Sequence, residues 1–352
     1  MSRRASSDLL FFTSAMSPAL AASGLLVLAT GSIWIGATLG SKKPEPKDDI
    51  TDETLDLTWL QILIMPVTSS VFLLLLFYFF EYVQSIMIIF IVVGSGLSCV
   101  DVLRSSISVL VPSANGYLAT IMSTLFTIYT IIQWATNGSF IAHDILGCSV
   151  CISSIALIRF PSLKLATVCL SLLLLYDIFW VFYSEHFFHK NVMVDVATKS
   201  AINPIQALGV KYDISMFKSL QTKLELPIKL LMPSSFLPKG RILMLGLGDI
   251  ALPGFVIALA LRCDMYYNLH LPGPVVSHRV SKIAKSYSRL FEYGILGYVL
   301  GLVTAFYIGS ISGHAQPALI YLVPGVLIPI SLRAWWMNIF LEVWNGPSKQ
   351  ND

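Results

Sequence analysis

The chain contains nine apolar segments that are each long enough to cross a lipid bilayer as an α-helix. A membrane span needs about 20 predominantly apolar residues. The segments lie near residues 17–39, 60–80, 84–100, 117–135, 140–158, 163–183, 242–261, 291–311 and 316–336. Only 12% of the 352 residues are charged, against about 25% in an average soluble protein. The sequence therefore predicts an all-α polytopic membrane protein with nine transmembrane helices.

The polar stretches between these segments show no sign of a separate soluble domain. A lumenal head (1–16) precedes helices 1–6 (17–183), and a long lumenal loop (184–241) follows them. Helices 7–9 (242–336) and a cytosolic tail (337–352) come next. We expect helices 1–6 and 7–9 to form one membrane domain.

The distribution of basic residues predicts the orientation of the chain. Outside the 184–241 loop, the Lys and Arg residues fall on the side of the C-terminus, except Arg3 and Arg4. Because basic loops are retained in the cytosol, we expect a cytosolic C-terminus and a lumenal N-terminus. The net charge of only +3 does not suggest nucleic acid, so membrane lipid is the expected contact.

Two of the apolar segments contain an aspartate at matching depth. Asp177 lies about seven residues before the end of the sixth segment, and Asp249 about seven residues after the start of the seventh. Because the two helices are antiparallel, both carboxylates should lie about 10 Å below the same membrane face. An acid in a span costs at least about 2.5 to 3.5 kcal/mol, so it is expected to be functional and to have a partner.

Two carboxylates that face each other in a low-dielectric site cannot both ionise easily. One keeps its proton while the other loses it. Such a pair can polarise a water molecule and protonate a leaving group, which is the chemistry of an aspartic protease. This chemistry requires neither a metal nor a nucleophilic serine.

The sequence around Asp249, GLGDIALPG, is rich in residues that weaken helices. Pro253 lacks the N–H that would bond the Asp249 carbonyl. Gly246, Gly248 and Gly254 let a backbone or a substrate approach closely. Such breaks are tolerated in a membrane where they are buried in protein or line a wet cavity. The alternative is that the glycines serve close helix packing and the proline a passive kink.

The ninth segment opens with QPALIYLVP at residues 316–324. Pro317 suits the start of a helix. Pro324 and Pro329 would disturb the interior of the same helix. The residues alone therefore predict a kinked terminal helix.

Three motifs together, YD at 176–177, GLGD at 246–249 and QPAL at 316–319, resemble the GxGD intramembrane aspartyl proteases. The stretches YDIFWVF, NVMVDVAT and GLGDIALPGFVIALALRCD resemble the signal peptide peptidase-like branch of that group. The chain is similar to the short subgroup that lacks a large lumenal protease-associated domain. The resemblance extends from about residue 140 to residue 336.

This resemblance implies an aspartic endopeptidase that cleaves within type II-oriented transmembrane segments, with Asp177 and Asp249 as catalytic residues. It implies that other residues of the motifs shape the active site: Tyr176, Gly246, Gly248, Pro253, Pro317, Ala318 and Leu319. It implies no cofactor, no metal, and a location in Golgi, endosomal or ER membranes. The oligomeric state stays open.

Two other functions remain as alternatives. Proton-coupled transporters also place buried carboxylates beside broken helices, although they usually contain inverted repeats and hold their sites near the midplane. No repeat is evident in this sequence. A non-proteolytic scaffold with an inactive dyad is the third interpretation, and the presence of both aspartates argues against it.

Two further pairs of polar residues have alternative interpretations. His143 and Asp144 begin the fifth segment, where they predict either a proton relay or a polar pair at the membrane interface. His186 and His189 have an i, i+3 spacing that suits a metal, but no third ligand is evident. A turn at the interface is therefore favoured for the histidines.

A cysteine pair, a glycosylation sequon and a basic run each have a simple structural interpretation. Cys148 and Cys151 form a CxxC inside an apolar segment with no second pair nearby, so packing is favoured over a metal or redox site. Asn137 opens a glycosylation sequon that we expect to be unused, because its loop is very short. The basic run at 279–289 is expected to lie against anionic cytosolic lipid.

The long lumenal loop contains two candidate strands. NVMVDVAT at 191–198 places valines at alternate positions, and LPIKLLM at 226–232 leads back toward Asp249. We expect them to form a small β element, to which an unwound substrate adds as an extra strand. The alternative is an ordinary loop hairpin with no role in substrate binding.

Overall fold

The computed structural model describes residues 18–42, 55–56, 58–110, 115–199, 201–203, 206, 223–233, 242–270, 290–312 and 316–346. The predictions for the head 1–16, for the basic run 279–289 and for residues 347–352 of the tail lie outside the described residues.

The described residues are mainly α-helical. The helices are α1 (Pro18–Lys42), α2 (Trp59–Leu110), α3 (Gly116–Asn137), α4 (Phe140–Leu157), α5 (Leu163–Ile178), α6 (Ser184–Phe188), α7 (Val192–Thr198), α8 (Leu247–His270), α9 (Leu290–Ser312), α10 (Leu319–Trp336) and α11 (Phe340–Asn345). A π-helical turn, Phe179–Tyr183, joins α5 to α6. Apolar chain in a bilayer folds this way because a helix satisfies its own backbone hydrogen bonds.

Short polar signals set the ends of the helices in the hairpin of α3 and α4 and at the start of α5. The side chain of Asn115 accepts a hydrogen bond from the N–H of Tyr117 at the start of α3. Gly138 ends α3 in the left-handed conformation that glycine adopts readily. Ser162 caps α5 by accepting from the N–H of Leu165.

Seven helices within the described residues are long and apolar enough to cross a membrane. One of the seven is α2, whose candidate span has 50 residues. This helix has a kink at Phe79, where the backbone is non-helical. The predicted second and third segments therefore correspond to the two helical parts of α2, and the kink between them lies close to the predicted boundary at Glu81. Helix α8 is not among the seven. The all-α polytopic fold is confirmed.

Three two-stranded sheets accompany the helices. The parallel pair is β1 (Leu55–Asp56) with β2 (Ile158–Arg159), and the antiparallel pairs are β3 (Ala201–Ile202) with β4 (Lys223–Leu224), and β5 (Lys229–Pro233) with β6 (Ile242–Gly246). The small β element predicted for the long loop is thus present. The strand predicted at 226–232 is confirmed from Lys229 onward.

Two sequence predictions about this region are wrong. Residues 242–246 form strand β6 rather than the start of the seventh helix, because β5 supplies their backbone partners. Residues 192–198 form helix α7 rather than a strand. Val192 and Val196 also have the i, i+4 spacing of one helix face, and both pack in a cluster with Trp180.

The chain divides into two compact units. The first unit includes 79–153 and the described part of 198–248, with a core built on Cys99, Trp134 and Leu146. The second unit includes 33–78, 154–197 and the chain from Asp249 onward, in their described parts. Asp177, Asp249 and the residues of α10 all belong to the second unit.

Candidate active site

Asp177 lies one residue before the end of α5 and is buried, with 4% of its surface exposed. The helix does not end there but widens into the π turn. In this turn the N–H of Ser184 bonds the carbonyl of Phe179, five residues back. Isolated π turns are rare in proteins, and many of those that exist lie at functional sites. Asp177 therefore sits where the backbone departs from regular helix.

Side chains from two neighbouring segments consolidate the π turn. The Trp180 indole donates to the Ser70 hydroxyl at 3.1 Å. The Ser184 hydroxyl donates to the Trp180 carbonyl at 2.6 Å, and the Asn191 amide donates to the Val181 carbonyl at 2.7 Å. The last two bonds satisfy backbone carbonyls three and four residues after Asp177.

Asp249 lies in the first turn of α8 and is half-buried. The N-terminal end of a helix carries partial positive charge, so it stabilises a nearby carboxylate. Pro253, four residues later, is buried and cannot donate to the Asp249 carbonyl. The helix nevertheless continues through Pro253 to His270.

The start of α10 completes the site. The N–H groups of Tyr321 and Leu322 donate hydrogen bonds to the carbonyl of Ala318. The N–H of Ile320 donates to the carbonyl of Pro317. The N–H of Leu319 is one of the donors that a helix start leaves outside its own ladder. It donates instead to the side chain of Asp177.

The structure brings Asp177, Asp249 and Leu319 together within one compact unit. The two carboxylates lie close enough to interact electrostatically. This arrangement agrees with the equal depth that helix geometry predicts for the two aspartates. Two acids beside a backbone donor are groups that can together activate water and polarise a carbonyl group.

The other residues of the motifs occupy different positions. Tyr176 is half-buried, and its ring lies 6.4 Å from that of Trp180, in the cluster beside the π turn. Gly246 ends β6 and pairs with Lys229. A side chain at Gly248 would meet open space, since no atom lies within 4 Å.

Gly254 has the packing role that the sequence left as an alternative. A Cβ atom there would lie 2.6 Å from Ile155 Cδ1 and 3.3 Å from Ile33 Cγ1. Its small size therefore allows α8 to approach its neighbours. The glycines around Asp249 thus do not share one role.

A seam of glycines, which the sequence reasoning missed, fixes the position of α10. A Cβ atom at Gly297 of α9 would overlap the carbonyl oxygen of Gly325 in α10. A Cβ atom at Gly301 would lie 2.9 Å from the Tyr321 carbonyl oxygen. The two helices are in backbone contact, as the G-x-x-x-G spacing of Gly297 and Gly301 could have indicated.

The remaining candidates do not join this group. His186 and His189 are exposed, and no group of three potential metal ligands occurs among the described residues. Among the described residues, Cys148 and Cys151 do not form a disulfide. Asn137 is exposed at the end of α3, and its amide donates to Gln133.

Pro253 offers a test of whether the missing backbone donor contributes to activity. Replacing it with Ala restores a backbone donor facing the Asp249 carbonyl, so we expect slower cleavage with equal or higher thermal stability. Pro66→Ala in α2 is the matched control, because the donor that it restores faces the carbonyl of Ile62 rather than that of an acid. A Pro253→Ala protein that loses stability but keeps full activity would indicate a passive structural proline.

Comparison with known proteins identifies the family. A family model described as signal peptide peptidase matches residues 49–350. The chain belongs to the signal peptide peptidase family. It is 34% identical over 322 residues to signal peptide peptidase-like 1 of Oryza sativa subsp. japonica, covering 85% of this chain and 84% of the relative. Signal peptide peptidase-like 1 of Arabidopsis thaliana is 33% identical over 331 residues, covering 88% and 87%.

A longer relative shares the same region. Signal peptide peptidase-like 3 of Arabidopsis thaliana is 30% identical over 93% of this chain, which corresponds to 61% of the relative. Membership in this peptidase family, together with the apolar helices, identifies the chain as an integral, multi-pass membrane protease. It favours the protease over the transporter and the scaffold.

Proposed function

We propose that this signal peptide peptidase family member is an intramembrane aspartic endopeptidase with Asp177 and Asp249 as its catalytic pair. The observation that carries the proposal is the approach of these two acids, one at a π turn and one in the first turn of a helix. The N–H of Leu319 adds a backbone donor at Asp177.

The proposed reaction uses the pair as one acid and one base. The ionised carboxylate removes a proton from a water molecule, which attacks the carbonyl carbon of the scissile bond, while the protonated carboxyl donates its proton to the carbonyl oxygen. The resulting diol then collapses, the C–N bond breaks, and a proton passes to the leaving nitrogen. The products are a carboxylic acid and an amine, and the pair again holds one proton.

The substrates that we propose are transmembrane segments in type II orientation. We also propose that the N-terminus is lumenal and the C-terminus cytosolic, as the basic residues indicate. The proposed location is the Golgi, endosomal or ER membrane. The test is cleavage of one single-span substrate reconstituted in both orientations, by wild type and by Asp249→Ala. Cleavage of both orientations at equal rates would contradict the proposed orientation, and equal cleavage by both proteins would contradict the proposed dyad.

A transmembrane substrate must unwind before its carbonyls can react, and unwound backbone in a membrane needs new hydrogen-bond partners. Strand β6 offers them. The N–H of Leu247 bonds the carbonyl of Ile228 at 3.2 Å, which sets the alternation of the ladder. Pairs of an antiparallel ladder alternate between hydrogen-bonded and non-hydrogen-bonded. The pairs Leu231 with Met244 and Lys229 with Gly246 are therefore the non-hydrogen-bonded ones.

The backbone groups of Met244 and Gly246 consequently point away from β5, toward the outer edge of β6. The side chain of Met244 is 47% exposed. Strand β6 ends three residues before Asp249 along the chain. We propose that the unwound substrate pairs with this outer edge as an additional strand.

Met244 provides the test of strand addition. Met244→Pro removes one outward N–H without breaking a bond to β5, since proline is accommodated at such edge positions. We expect a clear loss of cleavage with normal folding, whereas Met244→Ala, which keeps the N–H, should retain most of the activity. Equal activity of the two variants would show that the substrate does not use this edge.

A further inference from the structure

His143 and Asp144, at the start of α4, are a buried pair that the proposed chemistry does not use. Only 2% of His143 and 6% of Asp144 are exposed. The His143 Nδ1 atom lies 3.0 Å from Asp144 Oδ1. Ionisable residues buried in a membrane protein are costly and generally have a function. Both side chains are enclosed by protein, and their position at the membrane interface stays a prediction.

His143 binds the backbone of the loop before β5, and Asp144 binds the backbone of β5 itself. His143 Nε2 lies 2.9 Å from the Leu226 carbonyl oxygen, and the N–H of Leu231 donates to Asp144 Oδ1 at 2.9 Å. A carbonyl oxygen only accepts, so Nε2 must carry hydrogen.

Other side chains of the same helix hairpin support these bonds. The Trp134 indole donates to the Glu225 carbonyl at 2.9 Å. A Cβ atom at Gly147, one turn beyond His143, would lie 3.2 Å from Leu230 and 3.4 Å from Leu247. Helix α4 thus holds β5 along its length, by hydrogen bonds at one position and by close packing at the next.

The bond from Leu231 to Asp144 has a second consequence. Leu231 occupies a non-hydrogen-bonded pair, so its N–H points away from β6, to the outer edge of β5. Asp144 accepts a hydrogen bond from that N–H group. An unpaired strand edge is a template for another strand, and covering one of its donors blocks such pairing. The edge of β6 is therefore left as the receptive one.

We propose that His143 and Asp144 are positioning residues that hold β5 in place and close its outer edge, so that a substrate strand pairs with β6 in one register. This inference rests on the proposed function, since it concerns how the same site accepts its substrate. The pair does not touch the reacting bond. Its loss should weaken substrate binding and blur the cleavage position, with little change in the chemical step.

The test measures binding separately from catalysis. The Kd of a single-span substrate peptide is measured on full-length protein carrying Asp249→Asn, with and without Asp144→Ala. We expect Asp144→Ala to raise the Kd about tenfold, the effect of losing a buried charge-assisted hydrogen bond. Asp144→Asn keeps an acceptor for Leu231 and should restore part of the affinity. In the active protein, the KM should rise while kcat changes little.

Asp264→Ala is the matched control. Asp264 is also a buried acid that accepts from two backbone N–H groups, those of Leu290 and Phe291, each at 2.9 Å. It should lower thermal stability to a similar degree and leave the Kd unchanged. If Asp144→Ala does not fold, His143→Leu, which removes the bond to Leu226, replaces it in the same assay and should also raise the Kd.

A second readout separates positioning from general stability. Once the outer edge of β5 is open, a substrate strand has two edges available. Met244→Pro should therefore reduce the cleavage rate by a smaller factor in the Asp144→Ala background than in wild type. Mass spectrometry should also find additional cleavage positions. Unchanged Kd and a single cleavage position in a folded Asp144→Ala protein would overturn the proposal. Absence of cleavage by the wild-type protein would count against the proposed function, while the Kd comparison would still test the positioning role.

Discussion

Asp177→Asn and Asp249→Asn should each lower the cleavage rate by at least about 10²- to 10⁴-fold, the usual contribution of general acid–base catalysis. An amide has nearly the size of a carboxyl group but can neither take up nor deliver the proton. The remaining aspartate cannot act as acid and base in the same step. The measurement is the initial rate of cleavage of a single-span substrate by purified protein in detergent.

Folding must be shown to persist in these variants. Thermal unfolding should change little, since Asn keeps an acceptor for the Leu319 N–H and relieves the repulsion between two acids. Asp264→Asn is a suitable comparison, because it changes a buried acid that caps α9 and should leave the cleavage rate nearly intact. Near-normal turnover by either dyad variant would refute the assignment.

Gly297→Ala should have the largest effect among substitutions outside the dyad. The added Cβ atom would occupy the position of the Gly325 carbonyl oxygen, so α9 and α10 must move apart. Overpacking of this kind costs about 1 to 3 kcal/mol of stability. Helix α10 carries Leu319, so we expect slower cleavage as well as a lower Tm, measured on the same purified sample.

Gly309→Ala in the same helix is the matched control. No atom lies within 4 Å of a Cβ at Gly309, so the added methyl group meets no obstacle. This variant should keep its activity and lose no stability, since Ala favours a helix more than Gly does. Equal losses of activity and stability in the two variants would contradict the role of the glycine seam. They would show instead that α9 is sensitive to substitution at any position.

The pairing of the two aspartates could be predicted because it depends on quantities that the sequence contains. Segment lengths, the rise per residue and the antiparallel connection place Asp177 and Asp249 at one depth. The contact of Leu319 with Asp177 was not accessible in this way. It depends on how α10 packs, and a stretch such as QPAL contains no physical signal for its partner.

The errors concern apolar stretches whose pattern fits two structures. NVMVDVAT alternates like a strand, yet Val192 and Val196 also share a helix face, and burial against Trp180 selects the helix. The run that contains Asp249 is apolar throughout, so hydropathy cannot show that 242–246 is a strand. Tertiary partners outweigh local preference in both segments.

The buried pair at the start of α4 shows a further limit. His143 and Asp144 bind Leu226 and Leu231, which lie more than 80 residues later in the chain. A polar pair near the end of an apolar segment is compatible with an interfacial position, and no periodicity distinguishes that from a buried contact. The G-x-x-x-G spacing of Gly297 and Gly301, by contrast, was readable and was overlooked.

The most direct test of the central claim is to cleave a type II single-span substrate in H₂¹⁸O and to identify the products by mass spectrometry. The account predicts a new carboxyl terminus inside the apolar segment that contains one ¹⁸O atom from the attacking water. It predicts no such product from Asp177→Asn or Asp249→Asn protein. Cleavage confined to the polar flanks of the substrate, or the same ¹⁸O-labelled product from both variants, would contradict it.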